Sequence, residues 1–259
     1  MDGETIPVLT RPVECVALIE LNRPNSANRI QPEDLEALGR LLDECERDEE
    51  VHVLVLAARG TYFSAGFDLR ALSASASSKP QQTAQEDSAF ERFADRLENT
   101  RLIVIAAVNG PVIGGATDIA LACDLRVGAD TAYMLMPAAR FGLPLYAGAL
   151  QRYVTRLGLN QAKRLVFQAQ KVEAAEMLAI GFLGEVVSAQ DLRRRALEIA
   201  QGVAAMPARP LAAMKQVLNA SALSRGTAQA QRDALQAAFD GPAIAARIAQ
   251  AQTSRRSQA

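Results

Sequence analysis

Two glycine-containing turns, each directly after an apolar stretch, carry the residue types that could hold a reactive carbonyl group. The first covers residues 63–69 (FSAGFDL) and the second residues 109–118 (NGPVIGGATD). Small residues in both turns let a ligand approach the backbone closely. Gly115 would begin a helix, whose first N–H groups lack intrahelical acceptors and favour negative charge. A carbonyl oxygen placed at the Gly115 N–H would gain stabilisation as it becomes an enolate, although glycine-containing turns after strands are common and need not bind a ligand.

The overall composition is that of a soluble globular protein. The chain has 259 residues, of which 49% are hydrophobic and 22% charged. This length suits one large domain, or one domain with a helical appendage. The 28 basic and 29 acidic residues leave a net charge of −1, which argues against nucleic-acid binding by bulk electrostatics. No apolar run approaches the ~18 residues of a membrane span, so we expect no membrane partner and a cytoplasmic location.

Histidine and cysteine are too few for several common kinds of site. Cys15, Cys45 and Cys123 form no CxxC pair, and His52 is the only histidine. An ordinary zinc site is therefore not expected, and most Ser-His-Asp and Cys-His mechanisms are excluded. We interpret the cysteines as small buried side chains and His52 as a packed ring in a strand.

Alternating strands and helices are predicted to bring the two turns together. Apolar runs predict strands over residues 13–21, 51–58, 102–108 and 124–127. Helical spacing is found over 32–46, 90–97 and 115–122, and most of the chain beyond 147 is helical in pattern. Residues 73–85 are rich in Ser, Ala and Gln and predict an irregular segment. The pattern indicates an α/β core followed by a helical region, with both turns at one edge if their strands are neighbours.

Several motifs occur in the order typical of one family. They are Leu21-Asn22-Arg23-Pro24 with Asn28; Phe63-Ser64-Ala65-Gly66-Phe67-Asp68-Leu69; Ala106-Ala107-Val108-Asn109-Gly110 with Gly114-Gly115; Ala122-Cys123-Asp124-Leu125-Arg126; and Pro137 with Gly142. On these motifs the chain resembles the crotonase superfamily, also called the enoyl-CoA hydratase/isomerase family. The resemblance extends from about residue 13 to residue 187.

The resemblance implies a fold, an assembly and a substrate class. The fold would be a spiral of repeated β-β-α units over residues 1–195, followed by a helical trimerisation region over 196–259. Homotrimers, often paired into hexamers, would bind an acyl-CoA thioester without a separate cofactor or a metal. The Ala65 and Gly115 N–H groups would form the oxyanion hole.

The resemblance also implies residues that bind the substrate. The predicted contacts to coenzyme A or to the thioester are Asn25, Ser26, Ala27, Ser64, Asp68, Leu69 and Gly114. Phe67, with Met134 and Met136, would shape an apolar acyl pocket. Lys215 would reach a CoA phosphate, the alternative being a solvated lysine on a helix, and Asp68 could instead cap its loop.

The acid/base residues depart from the family pattern. Hydratases of the family use two glutamates, and the corresponding positions here are Asp118 and Ala138. Hydration needs a base for the water and an acid for the α-carbon, so one shortened carboxylate makes efficient hydration doubtful. Asp118 is predicted to be the catalytic acid/base, although a structural role is the alternative. Tyr146 replaces a usual glycine and could enter the pocket, and Arg140 is left without a role.

The predicted function is therefore an acyl-CoA enzyme that stabilises an enolate, with isomerase-like or weak hydratase chemistry. A decarboxylase or thioester hydrolase needs only the oxyanion hole and is one alternative. A non-catalytic acyl-CoA-binding protein is the other, because position 138 lacks the second acid.

Overall fold

The computed structural model describes residues 7–67, residues 80–222 and seven helical positions beyond them (241, 242, 245, 246, 249, 250 and 253). Of residues 80–88 only the backbone is described. No helix among the described residues is both long and apolar enough to cross a lipid bilayer.

A six-stranded sheet forms the centre of the molecule. Its strands, in chain order, are β1 (Val8–Val13), β2 (Val16–Leu21), β3 (Val53–Ala58), β4 (Ile103–Val108), β6 (Leu125–Ala129) and β9 (Glu185–Val187). They lie in the order β1-β2-β3-β4-β6-β9. The pair β1–β2 is antiparallel, and the pairs from β2 to β9 are parallel. The carboxyl ends of β3 and β4 therefore open at the same edge.

A second, three-stranded sheet lies next to that edge. It contains β5 (Val112–Ile113), β7 (Tyr133–Leu135) and β8 (Val172–Glu173), in the order β5-β7-β8. The helices described are α1 (Pro32–Arg47), α2 (Pro80–Asn99), α3 (Gly115–Ala122), α4 (Ala138–Phe141), α5 (Ala147–Leu157), α6 (Leu159–Gln168), α7 (Ala174–Ala179), α8 (Leu192–Ala204) and α9 (Ala208–Ala222).

The central sheet is apolar on both faces because helices cover both. On one face Leu54 and Leu56 belong to the same buried cluster as Leu38 of α1 and Phe93 of α2. On the other face the alternate residues Val53 and Val55 pack with Leu192, Ala196 and Ala200 of α8. This double coverage explains why the parallel strands are nearly continuous apolar runs in the sequence.

Three sequence predictions differ from the structure in their bounds. The strand predicted over 13–21 is interrupted by a turn at Glu14 and Cys15, where Cys15 has a φ of 60°. His52 lies just before β3 rather than within it. Helix α2 begins at Pro80, so the irregular segment predicted over 73–85 is helical from 80, and 73–79 lie outside the described residues.

The proposed division after residue 195 falls inside α8, and the two-part organisation stays a prediction.

Candidate active site

The two glycine-containing turns lie side by side, as the sequence predicted. Ile113 N–H donates to the carbonyl oxygen of Ser64 at 2.9 Å, and Ser64 N–H donates to that of Pro111 at 3.2 Å. Gly66 has a φ of +76°, and a Cβ there would lie 2.4 Å from the Ile113 oxygen and 3.1 Å from the Gly115 nitrogen. Only glycine at position 66 allows the two backbones to approach this closely.

Among residues 63–67, the described part of the first turn, one N–H group has no acceptor among the described residues, and it is not the predicted one. Ala65 N–H donates to the carbonyl oxygen of Ala27 at 2.8 Å. Gly66 N–H donates to Ser64 Oγ at 3.0 Å. Within the described part of the chain, Phe67 N–H donates to no acceptor. The prediction that Ala65 supplies an oxyanion donor is therefore wrong, because that hydrogen is already bonded, and Phe67 N–H is the available donor.

The second turn presents the Gly115 N–H at a helix start. Gly114, with a φ of 59°, donates its own N–H to the Leu135 oxygen at 2.9 Å. Thr117 Oγ1 donates to the Gly114 oxygen at 2.6 Å and fixes the first turn of α3. Gly115 is the first residue of α3, and its N–H has no acceptor among the described residues. The dipole of α3 also favours negative charge at this end.

A mainly apolar cavity opens where the two turns meet. It has an empty volume of about 750 Å³, part of which is open to solvent. Its described lining residues are Ala65, Phe67, Phe90, Ile113, Gly114, Gly115, Met136, Pro137, Ala138, Phe141, Leu143, Pro144, Leu145 and Tyr146. Phe67 and Phe90 meet edge to face, with ring centroids 6.4 Å apart. The lining suits an apolar acyl group beside the N–H groups of Phe67 and Gly115.

Asp118 does not line the cavity. Its carboxylate is completely buried and accepts two hydrogen bonds from Arg152, Nε to Oδ1 at 2.7 Å and Nη2 to Oδ2 at 2.9 Å. The Tyr146 hydroxyl donates to Oδ2 at 2.5 Å and separates the carboxylate from the cavity. This arrangement contradicts a direct contact between Asp118 and a ligand, because its oxygens are already engaged by Arg152 and Tyr146.

Arg152 connects α5 to α2 and α3 through buried ion pairs. Its Nη1 also donates to Asp95 at 2.8 Å and to Glu98 at 3.0 Å. Burial alone lowers the pKa of the Arg152 guanidinium, but Asp118 and the other carboxylates outweigh it and raise that pKa. Glu98 accepts a further hydrogen bond from Arg156. Each buried charge in this cluster therefore has an opposite partner, as burial requires.

Tyr146 links the ion pairs of Asp118 and Arg152 to the wall of the cavity. It precedes the first residue of α5, lines the cavity, and donates its hydroxyl hydrogen to Asp118. Burial, followed by the negative charge of Asp118, raises the pKa of the Tyr146 phenol well above its ordinary value. The phenol is therefore protonated throughout the physiological pH range.

Two predicted coenzyme A contacts are buried in structural roles. Ser64 is fully buried, its Oγ donating to the Asn28 oxygen at 2.7 Å and accepting the Gly66 N–H. Lys215 is 5% exposed, and its Nζ donates to the Leu102 oxygen at 2.8 Å and to Asp124 at 2.7 Å, with a longer 3.4 Å contact to the Leu97 oxygen. Both predictions are wrong, because these donors already have internal acceptors.

The other predicted contacts remain compatible with a bound ligand. Asn25 is exposed, while Ser26 and Ala27 are half-buried, on the loop whose Ala27 oxygen holds Ala65 at the cavity. Gly114 and Phe67 line the cavity itself. The remaining two, Asp68 and Leu69, lie outside the described residues.

Arg140 has a structural role that its sequence position did not reveal. Its guanidinium donates to the carbonyl oxygen of Ala169, which follows the last residue of α6. The guanidinium therefore ties α4 to α6. Ala138, at the start of α4, lies on the cavity wall where a second acid would be expected.

Arg152 is the important residue that sequence reasoning missed. One signal was present, since the buried face of α5 contains Ala149, Tyr153 and Leu157, and Arg152 lies on that face at helical spacing. A long basic side chain among core positions implies buried acidic partners.

Comparisons with known proteins identify the family. The model of the enoyl-CoA hydratase/isomerase family matches residues 12–246. A short-chain-enoyl-CoA hydratase of Clostridium acetobutylicum is 32% identical over 209 residues, 79% of this chain and 77% of that protein.

Solved structures confirm the predicted fold. An enoyl-CoA hydratase/isomerase from Xanthobacter autotrophicus Py2 superimposes with a TM-score of 0.86 at 26% identity, covering 95% of this chain and 93% of the other. A monofunctional enoyl CoA isomerase from M. smegmatis gives a TM-score of 0.71 at 27% identity, covering 85% and 95%. The chain therefore belongs to the enoyl-CoA hydratase/isomerase family of the crotonase superfamily.

Proposed function

We propose that this protein binds an acyl-CoA thioester and stabilises its enolate with the N–H groups of Phe67 and Gly115. The observation that carries this proposal is that both N–H groups lack acceptors among the described residues and border one apolar cavity. Two preorganised donors stabilise the charge that develops on a thioester oxygen when its α-carbon loses a proton.

The rest of the cavity supports an acyl ligand. Phe67, Phe90 and Met136 offer apolar surface next to the two donors. Coenzyme A would enter as part of the substrate, along the loop that contains Asn25, and no separate cofactor is proposed. Cytoplasmic location and the lack of a nucleic-acid partner stay predictions.

The reaction we favour is proton movement at the enolate, with isomerase-like or weak hydratase activity, in which water from the open part of the cavity accepts and returns the proton. Among the described lining residues none carries a carboxylate, which disfavours hydration by two acids. The same observation favours a second candidate, acyl-CoA binding without turnover. Decarboxylation or thioester hydrolysis would need only the oxyanion donors.

Exchange of the α-protons of butyryl-CoA in deuterated water tests the enolate directly, whatever the final reaction. Gly115→Pro removes the N–H at the first helical position, where proline is tolerated. Gly115→Ala is the matched control, because it retains the N–H while its Cβ meets the same Phe90 ring, 2.9 Å away. We expect Gly115→Pro to slow exchange about 100-fold more than Gly115→Ala.

Each outcome separates the candidates. Wild-type binding without exchange, measured by calorimetry and mass spectrometry, would favour the non-catalytic candidate. Equal exchange by the proline and alanine variants would exclude Gly115 as a donor.

We also propose that the chain assembles as a homotrimer, which could pair into a hexamer. Helix α9 presents exposed apolar side chains at Met214, Val217 and Leu218, the last 69% exposed. Such a surface favours association. Light scattering on Val217→Glu and wild-type protein tests this, since loss of a trimer in the variant is expected and a monomeric wild type would refute it.

A further inference from the structure

Tyr146 is the only residue with a polar side chain among the described residues that line the cavity. Every other described lining residue contributes an apolar side chain or backbone. A ligand that fills this space therefore meets one side-chain hydrogen-bonding group, in addition to the backbone donors of Phe67 and Gly115.

The direction of the Tyr146 hydrogen bond determines what that group can recognise. Its single hydroxyl hydrogen is donated to Asp118 Oδ2 at 2.5 Å. An ionised carboxylate can only accept, so the phenol must be the donor in this pair. The Tyr146 oxygen can form a further hydrogen bond only through its lone pairs, which means only as an acceptor.

The surrounding ion pairs keep this direction fixed. Asp118 is held by two hydrogen bonds from Arg152, and Arg152 is itself held by Asp95 and Glu98. A rotation of the Asp118 carboxylate would break a buried bidentate pair. Asp118 and Arg152 therefore act as positioning residues that keep the Tyr146 oxygen an acceptor.

From this geometry we infer that Tyr146 determines specificity by accepting a hydrogen bond from a hydroxyl group on the acyl chain of a hydroxyacyl-CoA. This inference rests on the proposed function, because it assumes that the cavity holds the acyl group of a CoA thioester. An unsubstituted acyl chain would offer the Tyr146 oxygen methylene groups and no hydrogen-bond donor.

Donation of the phenol proton to a ligand is the less favourable role. Transfer of that proton would leave a phenolate next to the buried Asp118 carboxylate, and like charges at this separation repel strongly. The raised pKa of the Tyr146 phenol agrees with this argument.

Calorimetric dissociation constants of butyryl-CoA, 3-hydroxybutyryl-CoA and 4-hydroxybutyryl-CoA test the inference. We expect one hydroxyl isomer to bind wild type roughly 3- to 10-fold more tightly than butyryl-CoA, the effect of one neutral hydrogen bond. The fluoro analogue of that isomer, which has no O–H, should show no such gain. In Tyr146→Phe the preference for the hydroxyl should disappear while butyryl-CoA still binds.

A double-mutant cycle of Asp118 and Tyr146 tests whether Asp118 positions the Tyr146 hydroxyl. The quantity compared is the ratio of hydroxyacyl-CoA affinity to butyryl-CoA affinity. Asp118→Asn should reduce the ratio of hydroxyacyl to butyryl affinity in wild type and leave it unchanged in Tyr146→Phe. A loss of folding alone would weaken both ligands together and leave the ratio as it was. Tyr146→Phe should still fold because Arg152 neutralises Asp118, with a thermal midpoint lowered by the loss of one hydrogen bond to a charged group.

Two results would overturn the inference without touching the proposed function. The first is that both hydroxyl isomers bind wild type no better than butyryl-CoA. The second is that Tyr146→Phe keeps the full preference. Failure of every thioester to bind would instead refute the proposed function, and the inference with it.

Discussion

Arg152 and Asp118 form a two-point ion pair that is almost completely shielded from water. The Arg152 side chain is 2% exposed and that of Asp118 is 1% exposed. Asp118 was predicted from its sequence position to be the catalytic acid/base. Its carboxylate is instead held by Arg152 and is linked to the cavity wall through its hydrogen bond with Tyr146.

Replacing Arg152 by methionine should strongly destabilise the fold. The change leaves Asp118 buried without a cation, while Glu98 keeps Arg156, and breaking a buried ion pair typically costs about 3–5 kcal/mol. Arg194→Met is the control, since Arg194 is 62% exposed and little change in stability is expected from the loss of its solvated ion pairs. Urea unfolding measures both, and similar losses in the two variants would contradict the buried-cluster interpretation.

Substitution of Gly66 by alanine should abolish ligand turnover as well as reduce stability. The new Cβ would strike the Ile113 oxygen at 2.4 Å and push apart the turns that carry Phe67 and Gly115. Gly158→Ala isolates the cost of a positive φ, because Gly158 has a φ of +81° and a methyl group there would meet no atom within 4 Å. We expect about 1–2 kcal/mol of destabilisation with normal activity for Gly158→Ala. Equal activity of the two variants would show that the close approach at Gly66 is unimportant.

Lys215→Met should destabilise the protein without weakening its affinity for coenzyme A. Asp124 would lose its buried cation and retain the Val104 N–H as a partner, which predicts a loss of about 2–4 kcal/mol. The exposed Lys163 provides the control variant Lys163→Met, for which little change is expected. If coenzyme A binding, followed by calorimetry, falls tenfold in folded Lys215→Met, the structural assignment of this lysine is wrong.

Cys123 should be unreactive at neutral pH and should make stability fall in alkali. Burial raises the pKa of the Cys123 thiol to about 12, so only about one molecule in ten thousand carries the thiolate at pH 8. Because the folded state holds this proton more tightly than the unfolded state, the stabilisation is complete below pH 9 and is lost as pH rises towards 12.

Thiol titration and unfolding across this pH range check both statements. Cys123→Ala should flatten the alkaline decline, and all three thiols should react once the chain is unfolded. Rapid labelling of Cys123 in the folded protein at pH 8 would refute the assignment.

Ala138→Glu should increase hydration of crotonyl-CoA. Ala138 lines the cavity at the place where family hydratases carry their second acid, and a positioned general acid or base typically contributes ~100-fold or more. Ala138→Gln has the same shape without the titratable group and should gain nothing. The decrease in enoyl absorbance follows the reaction, and equal rates in the two variants would mean that a second acid is not what limits hydration.

The strands and turns were predictable because local sequence specifies them. Apolar runs marked β3 and β4, and the glycines after them marked the two turns that the structure joins through Ser64 and Ile113. The turn at Cys15 was missed, since Glu14 and Cys15 are not typical turn residues and the apolar pattern continues on both sides.

The family, the α/β order and the two turns follow from the sequence alone, because periodicity and glycine placement act over a few residues. Which N–H groups lack an acceptor among the described residues, and which acid is engaged, depend on the tertiary structure. Ala65 loses its donor to Ala27, and Asp118 meets Arg152 from a helix 34 positions further along the chain. Satisfaction of buried hydrogen bonds and charges depends on groups that folding brings together from distant segments, and no local pattern records those partners.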